Sequence, residues 1–212
     1  MPPSPLRLAV IGATGTIGRE IVAQALDAGH AVTALVRTPS KLEIEHPDLT
    51  VIEGSALSVD SVTEAVRGHD AVLLTMGGGL RGTTRSDGTR ATIRAMQATG
   101  VRRLICQTTL GAGDSRANLN LWWKYVMFGL LLRGAYRDHH VQEDLVRASG
   151  LDWTIIRPAA FTDGERTGEY RHGFGPGATG LTLTISRKDV ADFMLSQLGS
   201  DAYLHQAPGQ SY

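Results

Sequence analysis

The sequence predicts an α/β protein built on a doubly wound parallel sheet that helices cover on both faces. Short apolar runs alternate with longer segments whose apolar residues recur at helical spacing. These longer segments can form the right-handed crossovers that parallel strands require. The chain has 212 residues and shows no internal repeat or low-complexity tract. We therefore expect a single domain spanning residues 1–212.

Compact apolar runs predict six strands, and segments of helical period predict the helices between them. The strands are Leu6 to Ile11, Ala31 to Val36, Leu49 to Glu53, Ala71 to Thr75, Arg103 to Gln107 and Asp152 to Arg157. The helices carry Ile17 to Leu26, Val59 to Val66, Asp87 to Thr99 and Tyr136 to Ser149. Glycines that follow three of these helices are typical stop signals.

The alternation ends after Pro158. Residues 159–185 are rich in glycine and predict a small cap or hairpin on the substrate side of the same domain. Ser186 with Asp189 has the spacing of a capping box, which predicts a final helix through Leu198.

Composition argues against several classes of partner. The 21 basic and 21 acidic residues give no net charge, which disfavours nucleic acid and anionic membranes as partners. The single cysteine, Cys106, excludes an internal disulfide and a cysteine-rich metal site. The start, MPPSPL, does not resemble a secretion signal, and no apolar stretch reaches roughly 18 residues. We expect a cytoplasmic protein.

A glycine-rich turn, Gly12 to Gly18 (GATGTIG), lies directly between the first strand and the first helix. Gly12 and Gly15 allow a tight turn and the approach of a pyrophosphate, while Gly18 lets the helix pack closely on the strand. The unpaired N–H groups at the start of the helix then face the phosphates. The spacing GxxGxxG is one residue longer than GxGxxG. The turn predicts a dinucleotide site, the alternative being a glycine turn without a ligand.

Arg37, at the end of the second strand, bears on which dinucleotide binds. An NAD site places an acidic residue about 20 residues past the glycine loop, on the ribose 2′-hydroxyl. An arginine can instead bind a 2′-phosphate through two hydrogen bonds, and Thr38, Ser40 and Lys41 are close in sequence. The predicted cofactor is therefore NADP(H), and a solvated arginine at a strand end is the alternative.

Four segments carry a resemblance to a known family: GATGTIG, LVRTPSKL, SGLDWTIIRP and ISRKDVADFML. The chain resembles the atypical short-chain dehydrogenase/reductases, in the NmrA-like NAD(P)H-binding branch and near its flavin reductase/biliverdin-IXβ reductase group. The resemblance extends from Leu6 to Tyr212. It implies a Rossmann fold that binds NADPH and passes hydride to a flat conjugated acceptor such as a flavin, a quinone or a tetrapyrrole.

The resemblance also assigns cofactor contacts. It places the pyrophosphate on the glycine turn, the 2′-phosphate on Arg37, the adenine beside residues 55–57 and the nicotinamide beside residues 108–109 and 158–160. The implied contacts are Gly12, Thr14, Gly15, Thr16, Ile17, Arg37, Ser55, Ala56, Leu57, Met76, Gly77, Gly78, Thr108, Thr109, Pro158, Ala159 and Ala160. Ser55 stands where the family commonly has Asp.

The family's usual proton donor, a Tyr four residues before a Lys, is absent. Ala135 and His139 stand at these positions, while Tyr136 and His140 keep the spacing one residue along. The absence disfavours ketone or alcohol chemistry but agrees with flavins or quinones, because conjugation spreads the added charge and solvent can supply the proton. The candidate catalytic residues are Thr109, His139 and Tyr136. Capping the strand end is the alternative role for Thr109.

The sequence leaves two interpretations of His139 open. His139 either meets substrate or lies on the surface and pairs with Glu143 one turn along. No metal site is expected, because the group His139, His140, Glu143 and Asp144 has no further ligand cluster to complete it.

Residues 119–132 form an apolar, aromatic stretch interrupted by Lys124. This stretch is interpreted as a lid over a planar acceptor, a self-association surface or a core helix.

We therefore expect an NADPH-dependent reductase of a small planar redox substrate, acting as a monomer or a weak homodimer. The alternative is an NmrA-like redox sensor that binds NADP(H) without turnover, since such regulators often lack the Tyr/Lys pair. A nucleotide-sugar isomerase or dehydratase is disfavoured, because the part after Pro158 is small and the pair is missing.

Overall fold

An eight-stranded sheet forms the centre of the computed structural model, which describes residues 5–78 and 82–212. Its first six strands are β1 Arg7–Ile11, β2 Ala31–Val36, β3 Leu49–Glu53, β4 Ala71–Leu74, β5 Arg103–Gln107 and β6 Asp152–Pro158. They are all parallel, in the spatial order β3-β2-β1-β4-β5-β6. This is the strand order of the doubly wound dinucleotide-binding fold. The predicted α/β class and Rossmann type are confirmed.

Five α-helices cover the sheet within the described residues: α1 Thr16–Asp27, α2 Val59–Val66, α3 Thr84–Thr99, α4 Arg133–Arg147 and α5 Arg187–Ser196. Helix α1 packs against α5, while α2, α3 and α4 pack side by side. Along β1, Leu8 and Val10 enter one apolar core and Ala9 and Ile11 enter the other. The sheet is therefore buried on both faces, as parallel strands require. Over the same residues, no helix combines the length and apolar character needed to cross a bilayer.

Helix α3 begins three residues before the predicted Asp87, because a side chain distant in sequence caps it. The Asp138 carboxylate on α4 accepts the backbone N–H of Arg85 at 3.0 Å and that of Ser86 at 3.2 Å. These are two of the N–H groups that every helix start leaves without an internal acceptor. Asp138 lies 52 residues from Ser86 along the chain, so local sequence gives no sign of this cap.

Residues Trp122–Leu131 form a wide helix with i→i−5 hydrogen bonds, which we call the wall helix. At its end, the N–H of Leu132 donates to the carbonyl of Met127 at 2.6 Å. Helix α4 then starts at Arg133, ahead of the predicted Tyr136. Of the ten residues of the wall helix, only Phe128 is buried. The interpretation of this stretch as a core helix is therefore wrong.

Four short strands follow Pro158: β7 Ala160–Thr162, β8 Arg171–His172, β9 Thr184–Ser186 and β10 Gly209–Ser211. Strand β10 extends the sheet parallel to β6, and β8 pairs with β10 in the antiparallel direction. Strands β7 and β9 pair in parallel, so the expected hairpin within residues 159–185 is wrong as to strand direction. Helix α5 ends at Ser196, and a short 3₁₀ turn, Gln197–Gly199, completes the stretch predicted as helical.

Asp189 ties this C-terminal region together. Ser186 Oγ accepts the N–H of Asp189 at 3.0 Å, which is one half of the predicted capping box. The other half is not formed, because the Asp189 carboxylate accepts hydrogen bonds from the Tyr212 hydroxyl, from the N–H and hydroxyl of Thr167 and from the N–H of Gly168. Burial alone would raise the pKa of Asp189, but these donors hold it below its ordinary value.

A buried ion pair joins β6, α4 and the end of β5. Arg157 donates from Nε to Oε1 of Glu143 at 2.8 Å and from Nη2 to Oε2 at 2.6 Å. Thr108 Oγ1 donates to Oε1 of Glu143 at 2.9 Å, and Arg157 Nη1 donates to Asp114 at 2.6 Å. Burial alone would raise the pKa of Glu143, but the Arg157 charge and these hydrogen bonds hold it below its ordinary value. No local sequence pattern indicates this pair, because its members lie on different elements.

Replacement of Glu143 by Gln is expected to lower the free energy of unfolding at pH 7 by about 3–5 kcal/mol, because the buried Arg157 loses its buried charged partner and keeps only the exposed Asp114. The pKa of Glu143 is lowered by folding, so its stabilisation is complete above the ordinary value of 4.5 and is lost as the pH falls through the folded-state pKa. The difference between wild type and Glu143→Gln should therefore shrink below pH 4.5. Urea unfolding at several pH values measures it.

Arg147→Gln is the matched control. Arg147 Nη2 lies 3.5 Å from Glu143 Oε2, but its side chain is 42% exposed, so its loss should cost less than about 1 kcal/mol. Equal losses of unfolding free energy in the two variants would show that the buried pair stabilises the protein no more than the exposed contact does.

Candidate functional site

A cleft crosses the carboxyl ends of β1 and β4, the point at which the strand order reverses. Ligands of doubly wound sheets bind at this switch point. The cleft comprises a polar cavity of about 580 Å³ near the ends of β2 and β3 and an apolar cavity of about 350 Å³ near the ends of β5 and β6. Gly15, Thr75, Met76 and Gly77 line both cavities, so the two form one continuous space.

The glycine turn forms the floor of the cleft by close contact between backbones. Gly12 has φ +96°, and a Cβ on it would lie 2.7 Å from the carbonyl oxygen of Thr75. A Cβ on Gly18 would lie 2.2 Å from the carbonyl oxygen of Gly12. Both distances are shorter than real Cβ contacts, so these positions require glycine.

The start of α1 is open to an anion. Its first helical bond runs from the N–H of Arg19 to the carbonyl of Gly15 at 3.0 Å, so the preceding N–H groups of residues 16–18 have no helical acceptor. No side chain caps this end, and its first turn carries no acidic residue. The positive end of the helix dipole therefore faces the cleft without a competing charge on its first turn.

Thr75 provides an independent sign of a ligand. Its side chain is buried, and its Oγ1 has no hydrogen-bond partner among residues 5–78 and 82–212. Buried hydroxyls are almost always hydrogen-bonded, and Thr75 lines both cavities. A polar group of a dinucleotide in the cleft would supply the missing partner, so the residues present fit such a cofactor.

The polar cavity brings together the residues expected around the adenosine half. Arg37, Thr38 and Lys41 lie along one side, and Arg19 Nη2 holds the segment by donating to the Lys41 carbonyl at 2.8 Å. The expected contacts that line this cavity are Gly12, Thr14, Gly15, Arg37, Ser55, Ala56, Leu57, Met76 and Gly77. Ser55 Oγ accepts the N–H of Leu57 at 3.2 Å, so it shapes the turn on which Leu57 lies.

The apolar cavity brings together four of the five residues expected around the nicotinamide: Thr108, Thr109, Ala159 and Ala160. Thr16 and Ile17, which are expected to hold the pyrophosphate, line this cavity as well. Gly78 and Pro158 line neither cavity. Pro158 is buried, and its carbonyl accepts the N–H of Leu110 at 2.8 Å, which holds the ends of β5 and β6 together. Pro158 therefore supports this side of the cleft from behind, without facing it.

The remaining walls of the apolar cavity are aromatic and aliphatic. The inner side of the wall helix contributes Trp123 and Phe128, whose ring centroids are 5.7 Å apart. Five further large apolar side chains line the cavity: Leu110, Leu119, Leu132, Phe161 and Leu183. The sequence offered a lid as one interpretation of residues 119–132, but no local pattern distinguished the inward-facing residues from the others.

Comparisons with known proteins identify the family of the chain. The family model described as NAD(P)H-binding matches residues 12–201. The chain belongs to this NAD(P)H-binding family. The protein YMR090W of Saccharomyces cerevisiae is 30% identical over 209 residues, covering 92% of this chain and 88% of that protein.

Solved structures share the fold over almost the whole chain. ChuY, an anaerobillin reductase from Escherichia coli, is 25% identical with a TM-score of 0.81, covering 97% of this chain and 96% of that one. A short-chain dehydrogenase/reductase of Veillonella parvula, solved in complex with NADP, has a TM-score of 0.84 at 19% identity and covers 98% and 94% of the two chains. The second likeness concerns the fold alone.

His139 is one of two expected catalytic residues that line the apolar cavity of this NAD(P)H-binding protein, the other being Thr109. His139 is buried, so the alternative of a surface histidine is wrong, and Glu143 pairs with Arg157 instead. His139 Nδ1 lies 3.1 Å from Gln142 Oε1, an oxygen that can only accept, so Nδ1 carries the proton. Nε2 is then left as an acceptor. Burial, and next the charge of Arg85, lower the pKa of His139 to about 4.

Tyr136 does not line the cavity, which corrects the expectation that it serves as a catalytic group. Its hydroxyl donates to the Gly111 carbonyl at 2.8 Å, and its ring stacks on Phe128 at a centroid distance of 4.8 Å. Burial, the largest influence, raises the pKa of Tyr136. Tyr136 therefore supports the cavity wall from behind, and its proton is already engaged with the backbone.

Thr108 and Thr109 have different environments. The Thr108 hydroxyl is committed to Glu143. Thr109 is half-buried at the cavity, and its hydroxyl makes only a long contact of 3.4 Å with the Leu110 carbonyl, the strand-end cap considered as its alternative role. Such a weak contact can be exchanged for one with a ligand.

Arg85 is a functional candidate that the sequence analysis missed. It is the charged side chain among the described residues that line the apolar cavity, and its Nη1 lies 3.8 Å from Asp138. It comes from the first turn of α3, whose start was predicted later in the chain. No group of three or more metal-ligating side chains occurs in the part of the chain that the structure describes.

We predict that His139 stays neutral, with its proton on Nδ1, at every pH above about 5. Burial beside the Arg85 charge destabilises the imidazolium, so the ring gains a proton only near pH 4. A ¹H–¹⁵N NMR titration of the imidazoles measures this, and His139→Asn identifies the signal by its loss. A midpoint near the ordinary value of 6.5 would contradict the buried, neutral state.

Proposed function

We propose that the protein is an NADPH-dependent reductase that transfers hydride to a flat conjugated acceptor such as a flavin, a quinone or a tetrapyrrole. The observation that carries the proposal is the apolar cavity, which has aromatic walls and opens directly onto the dinucleotide cleft. Bound NADPH supplies a hydride, which carries two electrons, and becomes NADP⁺. The acceptor takes up that hydride and one further proton.

The states of the Tyr136 hydroxyl and the His139 imidazole favour a conjugated acceptor. The Tyr136 hydroxyl is hydrogen-bonded to the backbone, and the lowered pKa of His139 leaves its imidazole neutral at pH 7. Reduction of an isolated ketone needs a strong proton donor as the hydride arrives. A conjugated acceptor spreads the added negative charge and can take its proton from solvent, so it suits a cavity with these groups.

Three polar side chains would orient such an acceptor. His139 Nε2 can accept a hydrogen bond from an N–H group, which flavins and tetrapyrroles carry. The Thr109 hydroxyl can donate to a ring carbonyl or to the cofactor carboxamide. The Arg85 guanidinium would stabilise the electron-rich reduced acceptor, because an opposite charge acts strongly where water is excluded.

Two further observations support the proposal. Arg37 and Lys41 lie on the same side of the polar cavity, where they would balance the 2′-phosphate of NADPH. ChuY, which shares the fold over nearly the whole chain, is named as a reductase.

Arg37→Ala should weaken NADPH binding by roughly 1.5–3 kcal/mol, the usual contribution of a charged hydrogen bond, and should leave NADH binding nearly unchanged. Isothermal titration calorimetry with both dinucleotides gives the comparison. Arg67→Ala removes an exposed arginine that does not line the cleft and serves as the control. Equal affinity of the wild type for NADPH and NADH would exclude Arg37 as a 2′-phosphate ligand.

A panel of acceptors tests the reaction itself. NADPH absorbance at saturating cofactor should fall in the presence of FMN, riboflavin, a water-soluble quinone or biliverdin, and a simple ketone should give no turnover. Arg85→Gln should lower kcat at least about tenfold with little change in NADPH affinity, if its charge acts on the reduced acceptor. Tight NADPH binding without turnover of any acceptor would instead support the redox-sensor alternative.

A further inference from the structure

The wall helix has a second apolar surface on the side opposite the cavity. Nine large apolar side chains are exposed in the described residues, and five of them lie between residues 121 and 131. These five are Leu121 (72% exposed), Trp122 (59%), Tyr125 (65%), Leu130 (74%) and Leu131 (57%). We call them the outer face. Soluble monomers rarely expose so many large apolar side chains together, and such patches mark interaction sites.

The wide helical geometry makes these residues one surface. With i→i−5 hydrogen bonds, positions four or five apart lie above one another. Leu121, Tyr125 and Leu130 follow this spacing, as do Trp122 and Leu131 by way of residue 126. The same spacing places Trp123, Phe128 and Leu132 together on the cavity side. One short helix thus separates the acceptor cavity from an exposed apolar face.

The segment around the outer face is strongly cationic, although the whole chain has no net charge. Residues 115–137 contain Arg116, Lys124, Arg133 and Arg137 but no aspartate or glutamate. The flanking acids have partners elsewhere: Asp114 pairs with Arg157, and Asp138 caps α3. The net charge of zero disfavoured an anionic membrane as a partner. Residues 115–137 nevertheless carry a formal charge of +4.

From this juxtaposition we propose that the outer face docks the protein on the surface of an anionic lipid bilayer. Tryptophan and tyrosine are the side chains that favour the headgroup layer, and leucines enter the acyl boundary beneath it. Lysine and arginine around them attract anionic headgroups. The outer face and its cationic surroundings combine these features within one short segment.

The cationic surroundings make a second copy of the chain a poorer occupant. A symmetric dimer through the outer face would set the same surface against itself. The cationic segment of one copy would then lie close to that of the other, with no acidic residue in either segment to compensate. An anionic bilayer satisfies both the apolar and the charged part of the surface.

Docking would also favour an acceptor that is dissolved in the membrane. This part of the inference rests on the proposed function. The wall helix contacts the bilayer with one face and lines the acceptor cavity with the other. An acceptor dissolved in the membrane could enter at the edge of this helix. A quinone with an alkyl tail has the flat ring that suits the cavity and the lipid solubility that suits this route.

Sedimentation with lipid vesicles tests the docking with the full chain. We expect binding to vesicles of phosphatidylcholine with 30% phosphatidylglycerol, little binding to phosphatidylcholine alone, and release at high salt. The double variant Trp122→Ser/Leu130→Ser should bind at least about tenfold more weakly, since it removes two membrane-inserting side chains. Arg133→Gln should bind about fivefold more weakly, from about 1 kcal/mol per basic residue. Val51→Ser, which removes an exposed apolar side chain on β3, should bind like wild type.

Activity with a water-soluble quinone separates this inference from the proposed function. The outer-face variants do not line the cavity, so they should keep NADPH affinity and turnover of that quinone while losing vesicle binding. Vesicle binding without turnover of any acceptor would uphold docking and overturn the reductase. No preference for anionic vesicles, or unchanged binding by the double variant, would overturn docking. So would a dimer, detected by light scattering, that Trp122→Ser/Leu130→Ser dissociates.

Discussion

The buried pair of Arg157 and Glu143 is the interaction on which the site most depends. It joins the last residues of β6 to the middle of α4, and Thr108 adds the end of β5. Gly113 packs so closely that a Cβ on it would lie 2.4 Å from Arg157 Nη2, and Asp114 binds the same guanidinium. The loop that leads to the wall helix is thereby anchored on the pair. The end of the cleft near β5 and β6 and the wall of the apolar cavity both depend on this buried charge and its partners.

The other half of the cleft depends on close contact between backbones rather than on charge. The carbonyl of Thr75 approaches Gly12, and the carbonyl of Gly12 approaches Gly18, at distances that admit no Cβ. These contacts bring β1, α1 and the end of β4 together. They leave the open N–H groups of α1 and the Thr75 hydroxyl at the surface where a dinucleotide would lie. These backbone groups can bind phosphate without a charged side chain, which agrees with a chain of no net charge.

Helix α4 carries side chains that reach the start of α3, the apolar cavity and the buried ion pair. Asp138 caps α3, His139 reaches the apolar cavity, and Glu143 holds Arg157, all from the buried side of one helix. A histidine buried there stays neutral and can accept a hydrogen bond but cannot act as an acid at neutral pH. The neighbouring tyrosine is turned toward the backbone of Gly111. Such a helix suits an acceptor that needs orientation more than it needs a proton.

The sequence by itself determined the alternation of strands and helices, the glycine turn and the position of Arg37 at the end of β2. Each depends on residues within a few positions of one another, through side-chain periodicity or the absence of a Cβ. Only the tertiary structure decided the start of α3, the burial of His139, the Arg157–Glu143 pair and the added strand β10, because each depends on contacts between different helices, strands and loops. The wall helix shows the same division. Its apolar composition is plain in the sequence, but only the wide helical geometry and its packing over the cavity decide which side chains line the acceptor site and which face outward.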